Sequence, residues 1–136
     1  MNLIDAVEVR YFRSIFTQKI ERLEPLTVLF GRNDSGKSNF LRALNLFFNN
    51  ETKPGQPFGF DRDLCYARRA QANAKRDVRK FVSIKITFRT PDNWRRSLGN
   101  SFWVKKSWSA TRERVPSVET SIRKKTTQQY LTRFLN

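Results

Sequence analysis

Histidine is absent from this sequence, cysteine occurs once, and acidic residues number only 12 against 27 Lys and Arg. Without histidine there is no imidazole general base, no Ser-His-Asp triad and no Cys/His zinc cluster, so serine proteases, zinc fingers and zinc deaminases are excluded together. The single thiol, Cys65, can form no internal disulfide and reads as a small, half-buried apolar residue. No apolar run approaches the roughly 18 residues a membrane-spanning helix requires. Asp5 and Glu8 stand where a signal peptide would carry a basic lead and an apolar stretch. A cytoplasmic chain with no membrane partner is therefore expected. What is present suits a packed core: among the 136 residues 38% are hydrophobic and 13% aromatic, with twelve Phe, which argues against disorder and sets the size of one small domain.

The net charge of +15 is unevenly spread. Residues 1–60 carry 8 basic and 6 acidic groups, whereas residues 61–136 carry 19 and 6. The excess lies in the second half.

Residues from Leu3 to Phe16 partly alternate and predict one strand that bends near Arg13, followed by a second strand from Gln18 to Leu23 that Glu24-Pro25 ends. Leu26-Thr27-Val28-Leu29-Phe30 is a continuous apolar run ending at glycine, as expected of a strand covered on both faces and often parallel. In Asn39 to Phe48, residues Phe40, Leu41, Leu44, Phe47 and Phe48 recur at helical spacing. Pro54, Gly55, Pro57 and Gly59 predict a loop over 51–60, and the Arg/Ala-rich stretch from Asp61 to Lys80 a mobile segment with a helical turn. Phe81 to Phe88 alternates, with Val82, Ile84, Ile86 and Phe88 on one face, and Ser101 to Ala110 is expected to pair with it after a turn at Pro91-Asp92-Asn93. Ser117 to Asn136 reads as a closing helix whose weak apolar face is Ile122, Tyr130, Leu131, Phe134 and Leu135.

Between the apolar run and the amphipathic helix stands Gly31-Arg32-Asn33-Asp34-Ser35-Gly36-Lys37-Ser38, a match to G-x-x-x-x-G-K-[ST]. Gly31 and Gly36 allow a tight turn that aims backbone amides inward, and those amides, with the positive end of the helix dipole, cradle phosphates. Lys37 would reach the β- and γ-phosphates, and the Ser38 hydroxyl would complete a Mg²⁺ shell. A strand before and a helix after are the context this pattern requires. ATP and Mg²⁺ are the expected ligands.

Two blocks carry a family resemblance. Val9-Arg10-Tyr11-Phe12-Arg13-Ser14-Ile15 is similar to the "nFRSi" strand end, and Leu26 to Leu44 to the "LtvliGrNdsGKSNfLrAL" block, of ABC-type ATPases of the SMC/RecF group, and within it of the OLD-like ATPases linked to DNA repair and anti-phage defence. The resemblance implies an α/β P-loop NTPase fold: lobe I of an ABC-type ATPase, mixed and antiparallel strands packed on the Walker A helix. It also implies that Gly31, Arg32, Asn33, Asp34, Ser35, Gly36, Lys37, Ser38 and Asn39 wrap the nucleotide, with Ser38 on the metal and Arg13 or Ser14 near the nucleotide at the edge of the first sheet. Asn33 and Asn39 set this block apart from small GTPases and kinase-like P-loops. A stand-alone nucleoside kinase, the third reading, would also need an acceptor site and a lid with arginines.

Members of the group hydrolyse ATP with an apolar strand ending in Asp-Glu and a Leu-Ser-Gly-Gly-like signature from a second subunit. The sequence contains neither, so residues 1–136 are expected to form the N-terminal lobe of a longer ATPase, binding nucleotide without turning it over alone. No catalytic residue is assigned, and Phe60-Asp61-Arg62-Asp63, where relatives sense the γ-phosphate, is given no role. The resemblance further implies a homodimer of heads closed by ATP and a nuclease-type effector acting on DNA or RNA.

Arg68, Arg69, Arg95, Arg96, Lys105, Lys106, Lys124 and Lys125 belong to a series of clustered cations that could contact a nucleic acid backbone or an acidic partner surface. Trp94, Trp103 and Trp108 lie among them, as stacking platforms or as core. The alternative function is thus a basic nucleic-acid-binding module that uses the glycine loop as an anion site.

Overall fold

A computed structural model of the chain describes residues 3–29 and 36–122. A five-stranded antiparallel sheet forms the frame, in the order β2-β1-β5-β6-β7. Its strands are β1 (Ile4–Phe12), β2 (Ile15–Ile20), β5 (Val82–Arg89), β6 (Ser101–Trp108) and β7 (Ser117–Thr120). Helix α1 (Lys37–Asn49) packs on one face, and β3 (Glu51–Lys53) and β4 (Gln56–Pro57) form a hairpin beside it. Two short helices, α2 (Phe60–Asp63) and α3 (Tyr66–Ala74), precede β5, while a 3-10 turn (Asp92–Trp94) and α4 (Arg95–Leu98) lead into β6.

Alternation decides which side of the sheet is buried. Val7 pairs with Ile86 and Ile86 with Val104, Val9 pairs with Ile84, and Val82 pairs with Trp108, so one face is a continuous apolar layer. Phe40, Ala43, Leu46 and Phe47 of α1 close over it. Lys106 belongs to the same face. Its ammonium reaches the carbonyl of Phe47 at 2.7 Å and lies 4.8 Å from that ring's centroid, so it satisfies an end carbonyl of α1 that has no intrahelical partner. Burial lowers the Lys106 pKa from its usual value. The opposite face carries a charged row that crosses all five strands in register: Lys19, Glu8, Lys85, Lys105 and Glu119.

Several expected elements change. The first strand does not bend through Arg13 but turns there, because Phe12 pairs with Ile15 and leaves Arg13-Ser14 as a two-residue hairpin loop. Leu26 to Leu29 lies in no strand, with Leu26 82% and Val28 69% exposed. A strand exists only by pairing, and the described residues offer this segment no neighbour. The expected loop at 51–60 contains the β3–β4 hairpin, and 61–80 holds two helices rather than one turn. Ser117–Thr120 is a strand on the edge of β6, not the start of a helix, because Lys105 and Ser107 offer it a ladder. Ile122 is buried in the core but stands in no helix, and the remainder of the expected closing helix, including Tyr130, Leu131, Phe134 and Leu135, lies outside the described residues, as do Lys124 and Lys125. Cys65 packs as an apolar residue, as expected, but is fully rather than half buried.

Candidate nucleotide site

Helix α1 begins directly on Gly36, whose φ of +88° is a left-handed conformation that side chains disfavour. Among the described residues Gly36 supplies no side-chain cap, and the first turn of α1 has no acidic residue, so no carboxylate of that turn repels an anion there. A β-carbon on Gly36 would stand 3.3 Å from Ser14 Oγ and 3.5 Å from Ile15 Cγ1. The β1–β2 hairpin loop therefore lies against the end of the glycine loop. Side chains fasten the two together: Asn39 Nδ2 donates to Ser14 Oγ at 2.8 Å, and Arg42 Nη1 donates to Asn39 Oδ1 at 2.9 Å.

Gly36, Lys37, Ser38 and Asn39 thus sit together on the first turn of α1, with Ser38 exposed and Lys37 half-buried. Gly31, Arg32, Asn33, Asp34 and Ser35 lie outside the described residues. The donor set fits ATP and Mg²⁺: successive amides at an uncapped helix start, a lysine, and an exposed hydroxyl able to ligate a hard cation.

Arg13 precedes Ser14 in the same hairpin loop and is anchored by Asp63. Its amide donates to the Asp63 carbonyl at 2.7 Å and its Nε to Asp63 Oδ1 at 2.8 Å. Asp63 is fully buried, and its oxygens also accept from the Gly59 amide at 2.9 Å and from Arg62 Nη2 at 2.8 Å. That bond to Asp63 raises the Arg62 pKa. Sequence reading gave Asp63 no role. The available signal was an acid set between Arg62 and the apolar Leu64-Cys65 pair, a place where a carboxylate must find partners.

The expected nucleic-acid cations are dispersed. Arg68 lies 4.2 Å from the centroid of the Tyr11 ring and donates to the Arg79 carbonyl, Arg69 donates to the Asp61 carbonyl, and Arg95 pairs with Asp92 at 2.8 Å. Arg96 is exposed on α4, and Lys105 and Lys106 point to opposite faces of β6. Trp108 is fully buried in the core, while Trp103 is half-buried on the open face with Lys85 Nζ 4.7 Å from its ring centroid. Of the expected cations, Lys105 borders a groove of about 440 Å³ together with Arg79, Lys80 and Arg112, with Glu119 its one acidic residue. None of these four cations is in an ion pair among the described residues, unlike Arg10, Arg13, Lys19, Arg62, Arg89 and Arg95.

Residues 3–134 match the family described as AAA ATPase domain. The chain belongs to that family. The fold agrees: a solved structure, described as "Structural biochemistry of ATP-driven dimerization and DNA stimulated activation of SMC ATPases", superposes with a TM-score of 0.62 at 16% identity. The superposition covers 95% of this chain and 77% of that one. No curated protein matches in sequence. This AAA ATPase domain therefore has the P-loop NTPase fold of an SMC-like, ABC-type lobe, with an antiparallel sheet packed on the Walker A helix. As an ATPase domain it is a nucleotide-binding unit, and no helix among the described residues is long and apolar enough to cross a membrane.

Proposed function

We propose that this chain is the Walker A lobe of an OLD-like member of the SMC/RecF group, which holds ATP and Mg²⁺ on Gly31 to Asn39. It pairs with a second head across the bound nucleotide, and that closure drives a nuclease-type effector in nucleic acid repair or anti-phage defence. The observation that carries the reading is the joint between Gly36 and Ser14, tied through Asn39, which joins the phosphate loop to the sheet.

Two features favour a lobe completed by further residues. Helix α1 is apolar on two sides: Phe40, Ala43 and Phe47 face the sheet, while Leu41, at 57% exposure, and Phe48 lie outside that contact. Leu26 and Val28 are exposed on the segment that enters the phosphate loop. Together they supply the apolar surface for a second layer on α1. Such a layer would bring the Asp-Glu strand, and the second head the signature, that hydrolysis requires and this sequence does not contain.

Binding of a fluorescent ATP analogue with Mg²⁺ tests the reading. Lys37→Ala should weaken it by tenfold or more, the loss of a charge-assisted contact to phosphate, and equal binding by parent and variant would refute it. A second reading, an anion-binding module for nucleic acid, is favoured by the groove at Arg79, Lys80, Lys105 and Arg112. That reading expects nucleic acid retention that falls steeply with salt and ignores ATP. Absence of retention at low salt would contradict it.

A further inference from the structure

Arg13 occupies a position that the backbone penalises. It has φ of +52° in a two-residue hairpin loop, where glycine or asparagine is favoured, and Tyr11 two residues earlier has φ of +60°. The turn does not need the arginine side chain to hold its place. Backbone contacts already pin it to the α2 segment: Arg13 N to Asp63 O at 2.7 Å, Cys65 N to Tyr11 O at 2.8 Å, and a bridge between Phe12 and Leu64. Nor does Asp63 need Arg13 for neutrality, because Arg62 contacts both of its oxygens and the Gly59 amide adds a further bond. Two guanidiniums on one buried carboxylate leave one positive charge in excess, beside the residue that touches Gly36.

The way Arg13 is held leaves its far end available. Asp63 takes the Nε hydrogen, and among the described residues the Nη1 and Nη2 atoms have no hydrogen-bond partner, the guanidinium lying 5.6 Å from the Phe12 ring centroid, although the side chain is only 18% exposed. A guanidinium fixed through Nε cannot swing freely, and its two outer nitrogens form the fork that matches phosphate oxygens. We propose that Asp63 is a positioning residue that orients Arg13 toward the phosphates of a nucleotide held at the start of α1, at Gly36 to Ser38. This rests on the nucleotide-binding reading above. The α2 segment, which carries no residue of the phosphate loop, thereby becomes part of the nucleotide site.

A double-mutant cycle on ATP·Mg²⁺ affinity tests this, with thermal unfolding of each variant as a check on folding. Arg13→Ala and Asp63→Asn should each weaken ATP binding by about tenfold, the scale of one charge-assisted hydrogen bond, and the double variant should lose no more than either single one. Arg13→Lys, which keeps the charge but lacks the Nε anchor, should bind ATP as weakly as Arg13→Ala. A folded Asp63→Asn protein with affinity within twofold of the parent would overturn the proposal, as would losses that multiply in the double variant. If Asp63→Asn does not fold, the side-chain nitrogen resonances of Arg13 in the parent decide the matter. They should shift on ATP addition, and unmoved resonances in a protein that binds ATP would refute the role. A parent that binds no ATP at all would instead bring down the nucleotide reading and this one with it.

Discussion

Replacing Gly36 by alanine perturbs the joint between the sheet and the phosphate loop at one atom. At φ of +88° an L-residue costs about 1–2 kcal/mol relative to glycine. The new β-carbon would also stand 3.3 Å from Ser14 Oγ, so the hydroxyl must shift and its 2.8 Å bond from Asn39 weakens, a further ~1 kcal/mol. Gly55 is the internal control, since its φ is +76° but nothing lies within 4 Å of its β-carbon position. Gly55→Ala should therefore show only the backbone cost. With about 3–5 °C per kcal/mol for a domain of this size, Gly36→Ala should lower the melting temperature by roughly 6–15 °C and Gly55→Ala by roughly 3–10 °C, the smaller shift of the two. Circular dichroism melts give the first quantity and ATP titration the second. ATP affinity should fall with Gly36→Ala and stay unchanged with Gly55→Ala. Equal melting shifts, or full ATP affinity in Gly36→Ala, would refute the packing of Ser14 on the loop.

Two other predictions concern charge. Burial lowers the folded pKa of Lys106 below its unfolded value of 10.5, so between the two values the unfolded chain binds more protons and stability rises with pH. Urea midpoints from about pH 9 to 11 should show that rise in the parent and not in Lys106→Met, and identical slopes would contradict it. In the groove, Arg79→Glu with Lys105→Glu should reduce both nucleic acid affinity and the steepness of its salt dependence, by about one slope unit for each phosphate no longer neutralised. Arg95→Glu, whose guanidinium is already paired with Asp92, should change neither, and equal effects from the two sites would remove the groove from the account.

The parts legible in the sequence were those specified by short-range pattern. Alternation placed Val82, Ile84, Ile86 and Phe88 on one face of β5, and the 3.6-residue period put Phe40 and Phe47 in the core. Gly36 to Asn39 stood out because the G-x-x-x-x-G-K-[ST] pattern runs directly into an amphipathic helix, although the expected strand before it is not formed by Leu26 to Leu29. Elements set by distant partners were harder to see. Arg13-Ser14 lacks the Asn-Gly chemistry of a tight hairpin, and its geometry depends on a backbone bond to the Asp63 carbonyl, fifty residues away. Ser117–Thr120 is too short to declare itself against the apolar residues that follow it, and only the β6 ladder makes it a strand. Basic pairs in sequence proved a poor guide to basic surface, because strand alternation sends Lys105 and Lys106 to opposite faces.

Hydrogen–deuterium exchange of the chain with and without ATP·Mg²⁺ tests the central claim most directly, since it reports where the nucleotide sits. The account predicts slowed exchange at the amides of the phosphate loop and the first turn of α1, and at Arg13 and Ser14 behind them. Binding that left these amides unprotected and slowed exchange elsewhere on the sheet would contradict it.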